Sequence, residues 1–547
     1  METADGMEKG AGVMKQQSAK RPAGGGVLEY SIYGIVVGVC FLILVQRGYE
    51  FSNAFGHGGE WDGRAPKLQE GWIPGRRVDV SDDQWRSFRS MIPGLCVVFL
   101  LCGLVSRIIQ RTTYPMHRVY CVVVWACAMV LLVHGGRGWY VILLVTLNWM
   151  WTRIVVSLPL ASWQKILSVW ILHCGVLLGV RMSGGFECFD ALLSFLWRGT
   201  SKEMFRWEIC YNLTVLRMMS FSLDCIRAME KNQERVGTRH VSLPSMEFYG
   251  YLCSVAHALY PPLYIAGPII TYNDFVRQMY GDDGRVCDEK KAKAWRGPPG
   301  MKDILVYASR FVLDLVVMEI MTHYFYFNSI ATHRIGFTLD EYTALDVATT
   351  GWWVLAFTWL KFTVIWRFFR LAALIEGIEA PENMKKCFAM NYDVQGFWKH
   401  WHASFNQWLV QYMYIPLGGS RNQMLMIWPI FFFVAIWHDI EWRLIGWASL
   451  MCLAFLPELV VKREFKSSRW DWLRQRPQLL DVVRGMLAAI NISALMCGNM
   501  VGFVVGMDGL VPLLGQMMAS PRLLTVSLAS FYCASRLMFV SEKYIYR

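Results

Sequence analysis

The stretch MLMIWPIFFFVAIWHDIEW, Met424–Trp442, opens with fourteen apolar residues and then turns polar at His438 and Asp439. As a helix rising about 1.5 Å per residue, Met424–Trp437 covers about 20 Å of a hydrocarbon core about 30 Å thick. Comparable blocks recur at 30–47, 91–109, 119–135, 138–157, 163–181, 208–226, 247–270, 303–328, 345–375, 424–440, 443–461, 481–506 and 523–541. The 547 residues are 55% hydrophobic and 18% charged, whereas a soluble chain carries about a quarter charged residues. Mean hydropathy is +0.31. The fold class that follows is an all-α polytopic membrane protein with about 11–13 membrane-embedded helices. Some blocks carry prolines, glycines or charges in mid-span, as in YGYLCSVAHALYPPLYIAGPIITY and LKFTVIWRFFRLAAL. Such groups are tolerated at membrane depth only against protein or a water-filled cavity, so the second half is expected to enclose a polar interior.

Residues 1–26 are polar and Gly-rich and are expected to be a disordered tail, too polar for a cleavable signal peptide. Residues 27–547 read as one multi-pass membrane domain, with its histidine-bearing segments at 391–461. The net charge of +12 lies in loops such as Arg227–His240, Asp288–Lys302 and Lys462–Arg476. Basic loops beside membrane helices mark the cytosolic side and attract anionic lipid or coenzyme phosphates, so no nucleic-acid partner is expected. The 15 cysteines include no C-x-x-C pair, which argues against a disulfide framework or zinc module. No repeated signature relates the two halves, which weakens an inverted-repeat transporter reading.

Two stretches carry candidate chemistry. In FWKHWHASFNQWLVQYMYIP, read as a helix, Phe397, Trp401, Phe405, Trp408 and Tyr412 form one aromatic stripe, with His402 on the stripe beside it. A stripe of this kind serves packing or a membrane-interface belt as readily as function. His438 follows the fourteen-residue apolar block, and an ionisable residue at membrane depth suggests function. The rival is that Asp439, Glu441 and Arg443 mark a helix end at the far interface. Two histidines on separate helices suit acyl transfer to an alcohol or amine: one takes the acceptor proton while a second polar group steadies the oxyanion. Metal ligation by His400, His402 and His438 competes, but His400 and His402 are two apart and would point to different sides of a helix, so no metal is expected. His57 and Asp62 in HGGEWD match an H-x-x-x-x-D spacing in a Gly-rich loop and are read as coincidence.

With these residues in view, FWKHWHASFNQWLVQYMYIPLGGS and AIWHDIEWRLIGWASL together resemble the membrane-bound O-acyltransferase (MBOAT) superfamily. EGWIPGRRVDVSDDQWRSFR (Glu70–Arg89), NLTVLRMMSFSLD (Asn212–Asp224), YPPLYIAGPIITYNDF (Tyr260–Phe275) and WRFFRLAALIEGIEAPENMKKC (Trp366–Cys387) are similar to blocks of its Gup (glycerol-uptake protein) branch, related to the Hedgehog acyltransferase. The resemblance implies an MBOAT-type core of tilted helices around a transmembrane tunnel. It places the family's near-invariant histidine at His438 and its second polar position at His402. Trp437, Asp439, Asn391, Trp401 and Arg217 are its supporting or substrate-binding candidates. It further implies an endoplasmic-reticulum enzyme with acyl-CoA as co-substrate and no other cofactor. That enzyme would acylate the sn-2 hydroxyl of the lyso-phosphatidylinositol part of glycosylphosphatidylinositol (GPI) anchors, or another lysophospholipid. Two alternatives stay open: palmitoylation of a protein amine, and a glycerol/proton carrier relaying protons through His438 and Glu376.

Overall fold

The computed structural model describes residues 26–65, 67–112, 115–185, 204–234, 246–280, 298–332, 343–505, 514–515 and 518–545. The expected N-terminal tail lies outside the described residues, apart from Gly26. The chain is helical almost throughout: α1 Val27–Ala54, α2 Asp83–Thr112, α3 Pro115–His134, α4 Gly138–Ser157, α5 Ser162–Met182 and α6 Trp207–Glu234. Then come α7 Tyr251–Ala258, α8 Tyr272–Tyr280, α9 Met301–Tyr324, α10 Phe327–Thr332, α11 Ala344–Ile375, α12 Val394–His400 and α13 Ala403–Leu409. The last are α14 Gln423–His438, α15 Trp442–Glu464, α16 Pro477–Met500 and α17 Pro521–Ile545. Between α1 and α2 a small antiparallel hairpin pairs β1, Leu68–Glu70, with β2, Arg77–Asp79, in the register Leu68↔Asp79. Among the described residues, seven helical spans are long and apolar enough to cross a membrane, the span Met116–Ser157 joining α3 and α4. The protein is an all-α, multi-pass membrane protein.

Local signals set the helix ends. Thr343 caps α11 by accepting from the Asp346 N–H, while Asp346 accepts from the Thr343 N–H, a reciprocal capping box. Asp393 caps α12 by accepting from the Gly396 N–H at 3.0 Å.

The block 247–270 is not one span. It forms a short turn at Met246–Tyr249, then α7, then a single turn at Pro261–Tyr264 and an extended stretch leading into α8. Pro261, Pro262 and Pro268 carry no N–H to continue a helix. A Cβ at Gly267 would stand 2.4 Å from Leu263 Cα, so the chain turns back on itself there. This broken segment is buried in protein, and Arg217 of α6 donates to the Ala258 carbonyl that the break frees and to the Leu263 carbonyl, which also accepts from Gly267 N–H at 3.0 Å. That is how irregular backbone persists inside a membrane domain.

The polar interior expected for the second half is present as paired charges along α11. Lys361, 7% exposed, meets Asp82 at 2.7 Å, and Arg367 pairs with Asp314 of α9. Near the end of α11, Tyr260 donates to Glu376 at 2.9 Å and Arg118 donates to the Glu376 carbonyl at 3.0 Å. In the HGGEWD loop, Asp62 pairs with Arg77 at 2.6 Å and accepts from Gly58 N–H at 3.0 Å, tying the loop to β2.

Candidate active site

The aromatic stretch expected as one helix is two, α12 and α13, broken at Trp401 and His402. His402 has left-handed backbone angles, φ 43° and ψ 49°. A non-glycine residue in that region is uncommon and carries strain. Asn383 fixes the restart: its carbonyl accepts from Ala403 N–H at 2.9 Å and its side-chain oxygen from Ser404 N–H at 3.1 Å. Ser404 Oγ in turn accepts from Ile269 N–H at 2.9 Å, so the broken segment after α7 braces the start of α13. The break, invisible in the even aromatic spacing, lays the His402 ring on Trp366 with centroids 4.5 Å apart and planes 19° from parallel. Phe405 and Trp437 complete the surround at 5.2 and 6.2 Å. His402 Nε2 is buried without a hydrogen-bond partner among the described residues.

His438 is the last residue of α14, so the block does end in a helix terminus, as the rival reading held. The carbonyls that a helix end leaves free are taken by neighbouring helices. Trp437 Nε1 donates to the Asn212 carbonyl at 2.6 Å, and Asn212 Nδ2 returns a bond to the Trp437 carbonyl at 2.9 Å. Arg181, at the end of α5, donates to the His438 carbonyl at 3.1 Å. The backbone is thus clamped, while the His438 imidazole is exposed and makes no hydrogen bond to any described residue.

That exposure is to a cavity. His402 and His438 line one open cavity of about 820 Å³ with Trp366, Trp401, Trp437 and Asp439. The volume lies within the range of about 300–1,000 Å³ usual for ligand sites. His438, Asp439, Arg181 and Arg206 line it where α5 and α14 end and α6 begins; Gln395 and Lys399 of α12, Tyr414, and Gln423 at the start of α14 line it too. The α14–α15 turn follows His438, so the basic loop after α15 falls on the far side of the domain, as does the end of α6. His438 therefore sits toward the face of the domain opposite that basic loop.

Five of the seven residues singled out in sequence, His438, His402, Trp437, Asp439 and Trp401, share this cavity. Asn391 instead lines a smaller neighbouring apolar cavity of about 220 Å³, with Trp398 and Trp401 forming part of the common wall. Arg217 is fully buried against the α7 break and does not line the cavity. Sequence reasoning passed over Trp366, Asn212 and Arg181. Asn212 and Arg181 were visible as polar residues in or at the end of apolar blocks, but nothing in their spacing named their partners.

The family model described as MBOAT, membrane-bound O-acyltransferase family, matches residues 158–501. The membrane-bound O-acyltransferase GUP1 of Saccharomyces cerevisiae is 31% identical over 86% of this chain and 84% of its own length. That of Candida tropicalis is 29% identical over 94% of this chain and 86% of its own. More distantly, the protein-cysteine N-palmitoyltransferase HHAT of Mus musculus is 24% identical over 84% of this chain and 88% of its own.

Proposed function

Since this chain belongs to the membrane-bound O-acyltransferase family and is an acyltransferase of the membrane, we propose that it moves a fatty acyl chain from acyl-CoA to the sn-2 hydroxyl of the lyso-phosphatidylinositol part of GPI anchors in the endoplasmic reticulum. The observation that carries the reading is the meeting of His438 and His402 in one cavity. His438 takes the proton of the acceptor hydroxyl as its oxygen attacks the thioester carbonyl. His402 holds the substrate or steadies the oxyanion that forms. Collapse of the tetrahedral intermediate breaks the C–S bond, and the departing thiolate takes the proton from the His438 imidazolium. The products are the ester and coenzyme A. Acyl-CoA enters from the cytosolic end, past Lys399, and the acceptor from the His438 end.

Support against the carrier reading comes from Glu376, which is buried under Tyr260 and absent from the cavity wall that His438 occupies. The test is mass spectrometry of GPI lipids from cells with and without the gene. Lyso forms should accumulate without it and be cleared by wild type but not by His438→Ala. Undiminished lyso-GPI acylation by His438→Ala microsomes would overturn the assignment, and transfer of label to a peptide amine instead would reassign the acceptor.

A further inference from the structure

Two arginines stand at the acceptor end of the cavity beside His438. Arg181 closes α5 and Arg206 immediately precedes α6, and both line the cavity with His438 and Asp439. Resting on the lipid-acceptor reading above, we propose that Arg181 and Arg206 form a phosphate-recognising rim, which makes the acceptor a phosphodiester-bearing lysolipid rather than a neutral glyceride or a cationic peptide amine.

Neither guanidinium is saturated by its protein contacts. Arg181 uses Nη2 on the His438 carbonyl at 3.1 Å, its Nη1 lies 3.7 Å from Asp439, and its Nε is buried with no partner among the described residues. Arg206 has 66% of its side chain exposed and approaches Glu208 at 3.4 Å. Charge-assisted N–H···O bonds close to about 2.7–2.9 Å, so both acid contacts are loose. Glu208 cannot rise to neutralise the outer face of Arg206. Its side chain is 4% exposed, and Gly185, at φ +84°, packs so closely that a Cβ there would stand 2.3 Å from Glu208 Oε1. What is left is a pair of planar guanidinium groups lining the cavity with N–H groups that no described residue takes up, a chemistry that suits phosphate oxygens. A protonated peptide amine entering here would meet like charge, while a neutral glyceride would leave the forks unpaired.

The experiment uses the full chain in neutral phosphatidylcholine nanodiscs, with labelled palmitoyl-CoA and two acceptors of equal chain length, 1-acyl lysophosphatidylinositol and 1-monoacylglycerol. Wild type should favour the lysophospholipid at least tenfold in kcat/KM. Arg206→Gln should cut that preference at least tenfold through the KM for lysophosphatidylinositol. Arg206→Lys, which keeps the charge but not the fork, should fall between. Arg181→Lys should also lower the preference, and rising salt should weaken it in wild type more than in Arg206→Gln. Should Arg206→Gln fold poorly for want of the Glu208 contact, the Arg206→Lys ratio and the wild-type salt dependence decide the matter. A preference unchanged in both Arg206 variants, or wild type favouring monoacylglycerol, overturns the rim. A wild type that labels neither lipid overturns the lipid-acceptor reading itself, and the rim with it.

Discussion

Replacing His402 separates what its backbone does from what its ring does. The left-handed conformation costs a residue with a Cβ about 1–2 kcal/mol, and glycine is free of that cost. The ring is stacked on Trp366 at 4.5 Å, a contact worth about 0.5–1.5 kcal/mol beyond the area it buries. His402→Gly therefore loses the stacking but sheds the strain, and its stability should stay close to wild type. His402→Ala loses the same stacking and keeps the strain, so it should be less stable than His402→Gly by about 1–2 kcal/mol, a factor of about 5–30 in the folded-to-unfolded ratio. This ordering reverses the usual rule for a helix, where glycine is worse than alanine. Thermal unfolding of both variants in one detergent at one scan rate reads the order. Acyl transfer per folded molecule should fall in both, because both lack the imidazole that lines the cavity and whose buried Nε2 has no partner among the described residues. If His402→Ala proved as stable as His402→Gly, the break at Trp401–His402 would not be strained as described. If His402→Gly kept full turnover, the ring would have no part in the chemistry.

Three further outcomes follow from the same contacts. His438→Ala should lower the transfer rate by about a hundred- to ten-thousandfold, the usual worth of a positioned base; its melting temperature should barely move, since the imidazole has no described hydrogen-bond partner and its ring contact is with its own chain neighbour Trp437. Trp437→Phe removes the donor to the Asn212 carbonyl at 2.6 Å and should destabilise the protein by about 1 kcal/mol; it should lower kcat more than it raises the KM for acyl-CoA, as steady-state kinetics would show. Arg217→Leu strips the Ala258 carbonyl of its donor inside the domain and leaves the Leu263 carbonyl with the Gly267 N–H at 3.0 Å, at about 1–3 kcal/mol for the group left unsatisfied; it should cut the yield of folded protein while leaving kcat per folded molecule near wild type, and a large kcat loss would bring Arg217 back as a participant.

The long apolar blocks were legible because each needs only its own residues to declare a period and a length. Accordingly α4 occupies 138–157 as expected, and α5, α11 and α15 agree with their blocks to within a few residues. The same logic misled where tertiary bonds outbid local pattern. The stripe Phe397–Tyr412 is helical in spacing, yet Asn383 and Ile269 hold the chain open at His402 through bonds that no helical period announces. The Pro-rich block 247–270 carried its break in plain view, but not the fact that Arg217 would satisfy it.

The site itself shows where legibility stops. His438 declared a demand, an ionisable group after fourteen apolar residues, and so did Asn212 near the start of another apolar block. That these two demands answer each other, through the paired bonds between Asn212 and Trp437, depends on residues 225 apart in sequence. A buried polar group must find a partner, so sequence can count the unmet needs of a membrane interior without saying how they pair. Here the pairing has a mechanistic result: every bond spent at the end of α14 goes to backbone or to Trp437, and the His438 imidazole is left with its nitrogens uncommitted at the cavity wall. A base whose ring only packs on the edge of Trp437, at 4.7 Å, and spends no hydrogen bond on any described residue keeps its lone pair for substrate, which a base hydrogen-bonded through its ring would not.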